Sequence, residues 1–204
     1  MKIKICGITR LEDAQLCVEY GVDAIGFIFY PKSKRYITPE SAKEISNSLP
    51  PFVHKIGVFV NEDIQEVNRI AKEAKLTAVQ LHGDESIEYI SNIHYAVIKS
   101  FGVDDSFDFS IIEKYKNLGI LLDIKDTVQF GGTGNSFNWD LIPQDIRNNI
   151  IIAGGVGINN IENIYKNIKP YGVDVSSSVE IAPGIKDQNK LKRFFKKYNE
   201  LRKL

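Results

Sequence analysis

Lys2-Ile-Lys-Ile-Cys-Gly-Ile-Thr-Arg-Leu-Glu-Asp-Ala-Gln-Leu-Cys-Val-Glu-Tyr-Gly21 is the stretch that decides the fold. Its first residues alternate charged and apolar side chains, the two-residue period of a strand. Thr9 and Glu12 then have the spacing of a capping box, ahead of Leu11, Ala14, Cys17 and Val18 at helical intervals. Gly21 stops the helix. The stretch reads as one strand followed by one helix, and the question is how often the chain repeats that unit.

Working outward, further short apolar runs rich in β-branched residues lie near Asp23–Phe29, Lys55–Val60, Ala78–Leu81, Ala96–Ser100, Gly119–Asp123, Ile150–Ala153 and Gly172–Val175. Helix signals follow most of them. Thr38-Pro39 sets a cap before a first-turn proline, and Pro50-Pro51 closes that segment. Asn61 is expected to cap a stripe of Ile64, Val67, Ile70, Ala71 and Ala74, and Asn159 with Glu162 to open a stripe of Ile161, Ile164 and Ile168. From Asp187 a last helix carries Leu191, Phe194, Phe195, Tyr198 and Leu201, and its lysines read as a solvated outer face. About eight such units, with no linker between them, predict a single-domain (β/α)8 TIM barrel over residues 1–204, near the lower size limit of that fold. An open doubly wound sheet fits less well. No G-x-G-x-x-G follows the first strand, and Gly131-Gly-Thr-Gly134 lacks the lysine of a phosphate-binding P-loop.

Composition narrows the class of partner. Lysine plus arginine equals aspartate plus glutamate at 26 each, with a pI near 6.8, so the chain as a whole carries no basic footprint for nucleic acid or an anionic membrane. The amino terminus lacks the apolar core of a secretory signal, and no run approaches the roughly 18 apolar residues of a membrane span. Cys6 and Cys17 are expected as free thiols in a cytoplasmic protein, monomer or homodimer, whose partner is a small molecule.

In a (β/α)8 barrel, chemistry gathers at the carboxyl ends of the strands. Strand parity puts Lys2, Lys4 and Cys6 inside and turns Ile3 and Ile5 toward the helices. Cys6 thus ends its strand at the mouth, where it serves either as a general base or as a small buried residue. Cys17, on a helix stripe, reads as core. Asp123 ends an apolar strand, a costly place for a carboxylate without a partner or a task. The segment from Ile124 to Asn138 suits a mobile cover and equally a plain surface excursion. Gly154-Gly155 after the seventh strand, with Ser176, Ser177 and Ser178 after the eighth, occupy the loops where such barrels often bind phosphate. Arg35, in Lys32-Ser-Lys-Arg35, can grip a carboxylate and lie against an aromatic ring, although such a loop is commonly just solvated. Gln80 and His82 share a strand face that ends at the mouth, where both are expected to bind substrate. His54, His82 and His94 show no metal-ligand spacing. Parity and barrel closure also make Lys4 and Asp174 neighbours inside the barrel, where each needs the other's charge.

These residues sit in motifs that closely resemble, across essentially the whole chain, the phosphoribosylanthranilate isomerase family of tryptophan biosynthesis. They are Lys4-Ile-Cys-Gly-Ile-Thr9, Gly26-Phe-Ile-Phe-Tyr-Pro-Lys-Ser-Lys-Arg35, Gly57-Val-Phe-Val-Asn61, Val79-Gln-Leu-His-Gly83, Leu121-Leu-Asp123 with Gly131-Gly-Thr-Gly134, Ala153-Gly-Gly155 and Val173-Asp-Val-Ser-Ser177. The resemblance implies a cofactor-free Amadori rearrangement of a phosphosugar–anthranilate conjugate, with Cys6 as general base, Asp123 as general acid and Arg35 on the anthranilate. On that assignment Asp123 is expected to have a raised pKa and Cys6 a lowered one. Ser178 stands where the family pattern has glycine, so a positive φ there would be strained. Two rivals are weaker. An indoleglycerol-phosphate synthase normally uses lysine and glutamate at the mouth, and a non-catalytic phosphosugar binder has no need of both proton-transfer candidates.

Overall fold

In the computed structural model, which describes residues 1–124 and 138–203, eight parallel strands close on themselves. They are β1 (Lys2–Ile5), β2 (Ala24–Ile28), β3 (His54–Phe59), β4 (Ala78–Leu81), β5 (Ala96–Val103), β6 (Gly119–Ile124), β7 (Ile150–Ile152) and β8 (Gly172–Val175). Each pairs with the next, and β1 also pairs with β8 in the register Lys4↔Asp174. Every strand expected from the sequence is present, with β5 running on to Val103. Residues 125–137, which include Gly131–Gly134 and most of the expected cover segment, lie outside the described residues.

Two apolar layers hold the barrel. Outward-facing Ile3, Ile5, Ile25, Phe27, Val79, Leu81 and Leu122 join buried side chains of the surrounding helices in one cluster. Each large side chain there contributes roughly 1.5–3 kcal/mol through burial. Phe194, Phe195, Tyr198 and Leu201 on the last helix belong to it, with Phe195 stacked on Tyr20 at 5.7 Å. Inside the barrel, Ala24, Ile56 and Ala78 with Ile98 plug the amino-terminal end. The interior above that plug is polar, and it opens at the carboxyl ends of the strands.

The helices are α1 (Leu11–Glu19), α2 (Pro39–Asn47), α3 (Ile64–Glu73), α4 (Ile87–Ile90), α5 (Ile161–Asn163) and α6 (Gln188–Leu201). Thr38 and Asp187 cap α2 and α6 as expected. Three of the other expected caps are wrong. Arg10 precedes α1 without a side-chain cap, because the Thr9 hydroxyl donates instead to the Gly184 carbonyl at 2.6 Å. Asp63 rather than Asn61 caps α3, while Asn61 takes φ 49° and accepts from Asp84 N–H at 2.7 Å. Asn160 rather than Asn159 precedes α5, which continues as a π-helix over Ile164–Ile168. At Thr9 and Asn61 a loop–loop contact overrode the local pattern. The regular β-then-α alternation also thins out, since a 3₁₀ turn at Phe109–Tyr115 connects β5 to β6. After β8 comes an unexpected antiparallel hairpin, β9 (Glu180–Ala182) and β10 (Ile185–Lys186), turned at Pro183-Gly184.

Candidate active site

Cys6 emerges from β1 buried at the mouth, its amide donating to the Val175 carbonyl at 2.9 Å. Beneath it Lys4 Nζ lies 2.7 Å from Asp174 Oδ2, the pair that strand parity called for. Both charges are within the barrel, where the neighbouring strands leave room because position 26 is glycine. A Cβ there would approach Cys6 Sγ to 2.7 Å and Lys4 Nζ to 3.0 Å. Burial works against the Lys4 ammonium, but Asp174 and Cys6 more than compensate and hold it charged, with its pKa raised. Burial also pushes the Cys6 thiol up, against the pull of Lys4. This corrects the expected lowering: desolvation of the sulfur outweighs the ammonium beside it. The Cys17 thiol, enclosed by α1 and the barrel wall, is pushed up to about 12 by burial and takes no part in the mouth.

Asp123 reaches the same mouth from β6. Its Oδ1 accepts from the Ile124 amide at 2.8 Å, and its Oδ2 faces His82 Nε2 at 3.6 Å. His82 stands above Gln80 on the inner face of β4. Gln80 Nε2 is 3.0 Å from His82 Nδ1 and 3.1 Å from Ser100 Oγ. An amide nitrogen only donates, so in this arrangement Nδ1 accepts and the imidazole proton sits on Nε2, toward Asp123. Burial, with Lys4 and Lys99 nearby, lowers the His82 pKa to about 4, so the ring is neutral near pH 7. A neutral imidazole beside Asp123 can orient that carboxyl without forcing it to ionise.

Arg35 comes from the loop after β2, and its amide bonds Ser33 Oγ at 3.1 Å. Unlike Lys32 and Lys34, it is not solvated. Its guanidinium lies bidentate on Glu180, with Nη2–Oε2 at 2.7 Å, and is packed over Gly7, where φ is +73° and an added Cβ would strike Arg35 Cδ at 2.5 Å. Opposite, Gly154, Gly155, Ser176 and Ser177 border the cleft that also contains Cys6, Arg35, Gln80, His82, Asp123 and Asp174. Asn160 braces this rim, accepting from Gly157 N–H and donating to the Gly155 carbonyl, both at 2.9 Å. Ser178 does not border the cleft. Its hydroxyl donates to the Val156 carbonyl at 2.5 Å, and its φ is not among the positive values found outside glycine at Asn61, Lys75 and Lys169. The sequence reading missed Glu180, Lys186, Asn160 and the role of Gly26. Only Asn160 and Gly26 lay beside positions already singled out.

The cleft thus combines a thiol above an ammonium, a carboxyl faced by a neutral imidazole, a guanidinium, and a glycine–serine rim suited to an oxyanion. The chain matches the family described as N-(5'phosphoribosyl)anthranilate (PRA) isomerase over residues 3–197. It is 47% identical to the N-(5'-phosphoribosyl)anthranilate isomerase of Thermotoga neapolitana, over 97% of this chain and 98% of that protein. The crystal structure of the Thermotoga maritima phosphoribosyl anthranilate isomerase superposes with a TM-score of 0.90 at 44% identity, covering 98% of this chain and 99% of that one. A second isomerase structure, solved in complex with reduced 1-(o-carboxyphenylamino)-1-deoxyribulose 5-phosphate, gives a TM-score of 0.87 at 43% identity with the same coverage. Barrel, cleft and kinship agree, and the chain belongs to the phosphoribosylanthranilate isomerase family, an enzyme of tryptophan biosynthesis.

Proposed function

We propose that this enzyme catalyses, by general acid–base chemistry and without a cofactor, the Amadori rearrangement of N-(5-phosphoribosyl)anthranilate to 1-(2-carboxyphenylamino)-1-deoxyribulose 5-phosphate. This is the third step from chorismate to tryptophan, and we place it in the cytoplasm. The observation that carries the reading is that Cys6 and Asp123, from strands on different sides of the barrel, border one cleft with Arg35 and the glycine–serine rim. Protonated Asp123 gives its proton to the ribose ring oxygen. The bond from C1 to that oxygen breaks as the anilino nitrogen lone pair forms a C1=N double bond. Cys6, as thiolate, then takes the C2 proton, and the C2–H electron pair forms C1=C2 while the C=N pair returns to nitrogen. The resulting enolamine gains a proton at C1 and loses its C2 hydroxyl proton, giving the ketone. Arg35 holds the anthranilate carboxylate, Gln80 and His82 orient the acid, and Gly154, Gly155, Ser176 and Ser177 take the phosphate, with Ser178 acting only behind them. Lys4, kept charged by Asp174, favours the thiolate once substrate is in place.

The test is direct. Purified protein mixed with freshly prepared phosphoribosylanthranilate is expected to abolish the substrate's fluorescence and to yield the ketose product by mass-resolved chromatography. Retained fluorescence, or release of free anthranilate in place of the ketose, would contradict the reading.

A further inference from the structure

Two charged side chains at the mouth have no part in the proton transfers above. Glu180 and Lys186, on the hairpin after β8, are 4% and 0% exposed, and Lys186 Nζ donates to Glu180 Oε1 at 2.8 Å. Lys186 Nζ also donates to the Cys6 carbonyl at 2.5 Å, the same oxygen that Ser176 Oγ reaches at 3.3 Å. On its other side Glu180 accepts from Arg35 Nε at 3.0 Å and from Nη2 at 2.7 Å, while Gly184 N–H bonds Oε1 at 3.2 Å. One carboxylate therefore links the backbone of Cys6 to the side chain of Arg35.

The chemistry of the guanidinium gives this link a direction. Arginine presents five N–H donors along two bidentate edges. Glu180 occupies the edge formed by Nε and Nη2. One N–H on Nη1 and the second on Nη2 form the other, end-on edge, and Arg35 borders the cleft. That free edge matches a second carboxylate. We propose that Glu180 and Lys186 are a positioning pair: Glu180 fixes the free edge of Arg35 to read the carboxylate ortho to the reacting nitrogen, and Lys186 sets Cys6 at a constant distance from that edge. The proposal rests on the isomerase reading above and adds to it the groups that set aryl selectivity.

The electrostatics fit this role. The charged and titratable groups around Cys6 are Lys4 from β1, Asp174 from β8, Lys186 from β10 and Arg35 from the loop after β2, with His82 and Asp123 also bordering the cleft. Lys186 is one of the two cations that favour the thiolate. A purely structural ion pair would brace the hairpin without this double contact.

The experiment measures kcat and KM for phosphoribosylanthranilate and for its aniline analogue, which lacks the carboxylate, in the parent, Glu180→Gln, Glu180→Asp, Lys186→Met and Lys186→Arg proteins. In parallel, the pH dependence of iodoacetamide labelling at Cys6 is read from the Cys6 peptide by mass spectrometry, so that Cys17 does not interfere. Glu180→Gln is expected to lose about tenfold or more of the parent's preference for the carboxylated substrate, through KM, with the analogue little changed. Glu180→Asp keeps the charge but shortens the reach, and is expected to lose preference while leaving the labelling midpoint in place. Lys186→Met is expected to move that midpoint to higher pH and to lower kcat for both substrates alike, and Lys186→Arg to restore the midpoint. Equal losses on both substrates in whichever Glu180 variant folds, or an unchanged midpoint in folded Lys186→Met, would overturn the proposal. A parent protein that turns over neither substrate would instead overturn the isomerase reading, and the labelling arm would still judge the contact between Lys186 and Cys6.

Discussion

At Cys6, two opposing influences decide the chemistry. Enclosure raises the thiol pKa and the Lys4 ammonium lowers it, with enclosure ahead in the free site. The free enzyme therefore starts mostly as thiol, and because turnover needs the thiolate and protonated Asp123 together, kcat/KM is expected to follow a bell whose alkaline limb is set by Cys6. Lys4→Met removes the nearer cation, so the alkaline limb and the midpoint of Cys6 alkylation should both shift to higher pH. An unchanged midpoint in folded protein removes Lys4 from the mechanism. Ser178 is a second test at this scale. A serine forced to positive φ would cost roughly 1–2 kcal/mol, but this one avoids that region and spends its hydroxyl on Val156. Ser178→Gly is accordingly expected to change KM by less than about tenfold, or 1.4 kcal/mol, with kcat almost unchanged. A much larger gain in affinity would show that the serine obstructs the phosphate rim.

Among the elements, β4 illustrates how a catalytic arrangement also shapes stability. Its inner face delivers Gln80 and His82 to the mouth, and the imidazole is held neutral with a pKa lowered from 6.5 to about 4. In the unfolded chain the same ring takes a proton near its ordinary value, so unfolding gains protons as pH falls below about 6.5. His82 therefore contributes full stability above that pH and loses it on the way down to about 4. At pH 4.5 the loss attributable to His82 is about 2–3 kcal/mol. Urea denaturation of His82→Asn should show a difference between pH 7 and pH 4.5 smaller than the parent's by that amount, and an identical difference would mean that the ring is not held neutral. Elements also set the limit of what the sequence alone discloses. The eight strands were legible because each is a short β-branched run between turn residues, Cys6 because strand parity points it inward, and Asp123 because it is a carboxylate at the end of an apolar run. Thr9 and Asn61 misled because their neighbours have cap spacing, whereas their actual partners, Gly184 and Asp84, are brought near only by folding, and Asn159 misled by one residue, since Asn160 is the one that precedes α5 and braces the rim of the cleft. Glu180 and Lys186 sit on a hairpin that no hydrophobic period announces, so nothing local marks them as parts of the site.

For the whole molecule, barrel closure is what makes a site at all. Joining β8 to β1 sets Lys4 beside Asp174 at 2.7 Å, and the hairpin after β8 returns Lys186 to the Cys6 carbonyl. Each contact spans nearly the full chain, so its loop-closure cost is recovered only when the complete barrel forms. The central claim, that a thiol from the first strand and a carboxyl from the sixth act as base and acid on one substrate, depends on that closure. It is tested by single-turnover loss of phosphoribosylanthranilate fluorescence in Cys6→Ala and Asp123→Asn, with circular dichroism and thermal melting verifying the fold. Each variant is expected to react about 10²–10⁴-fold more slowly than the parent while retaining its structure. The parental rate in either folded variant would contradict the account.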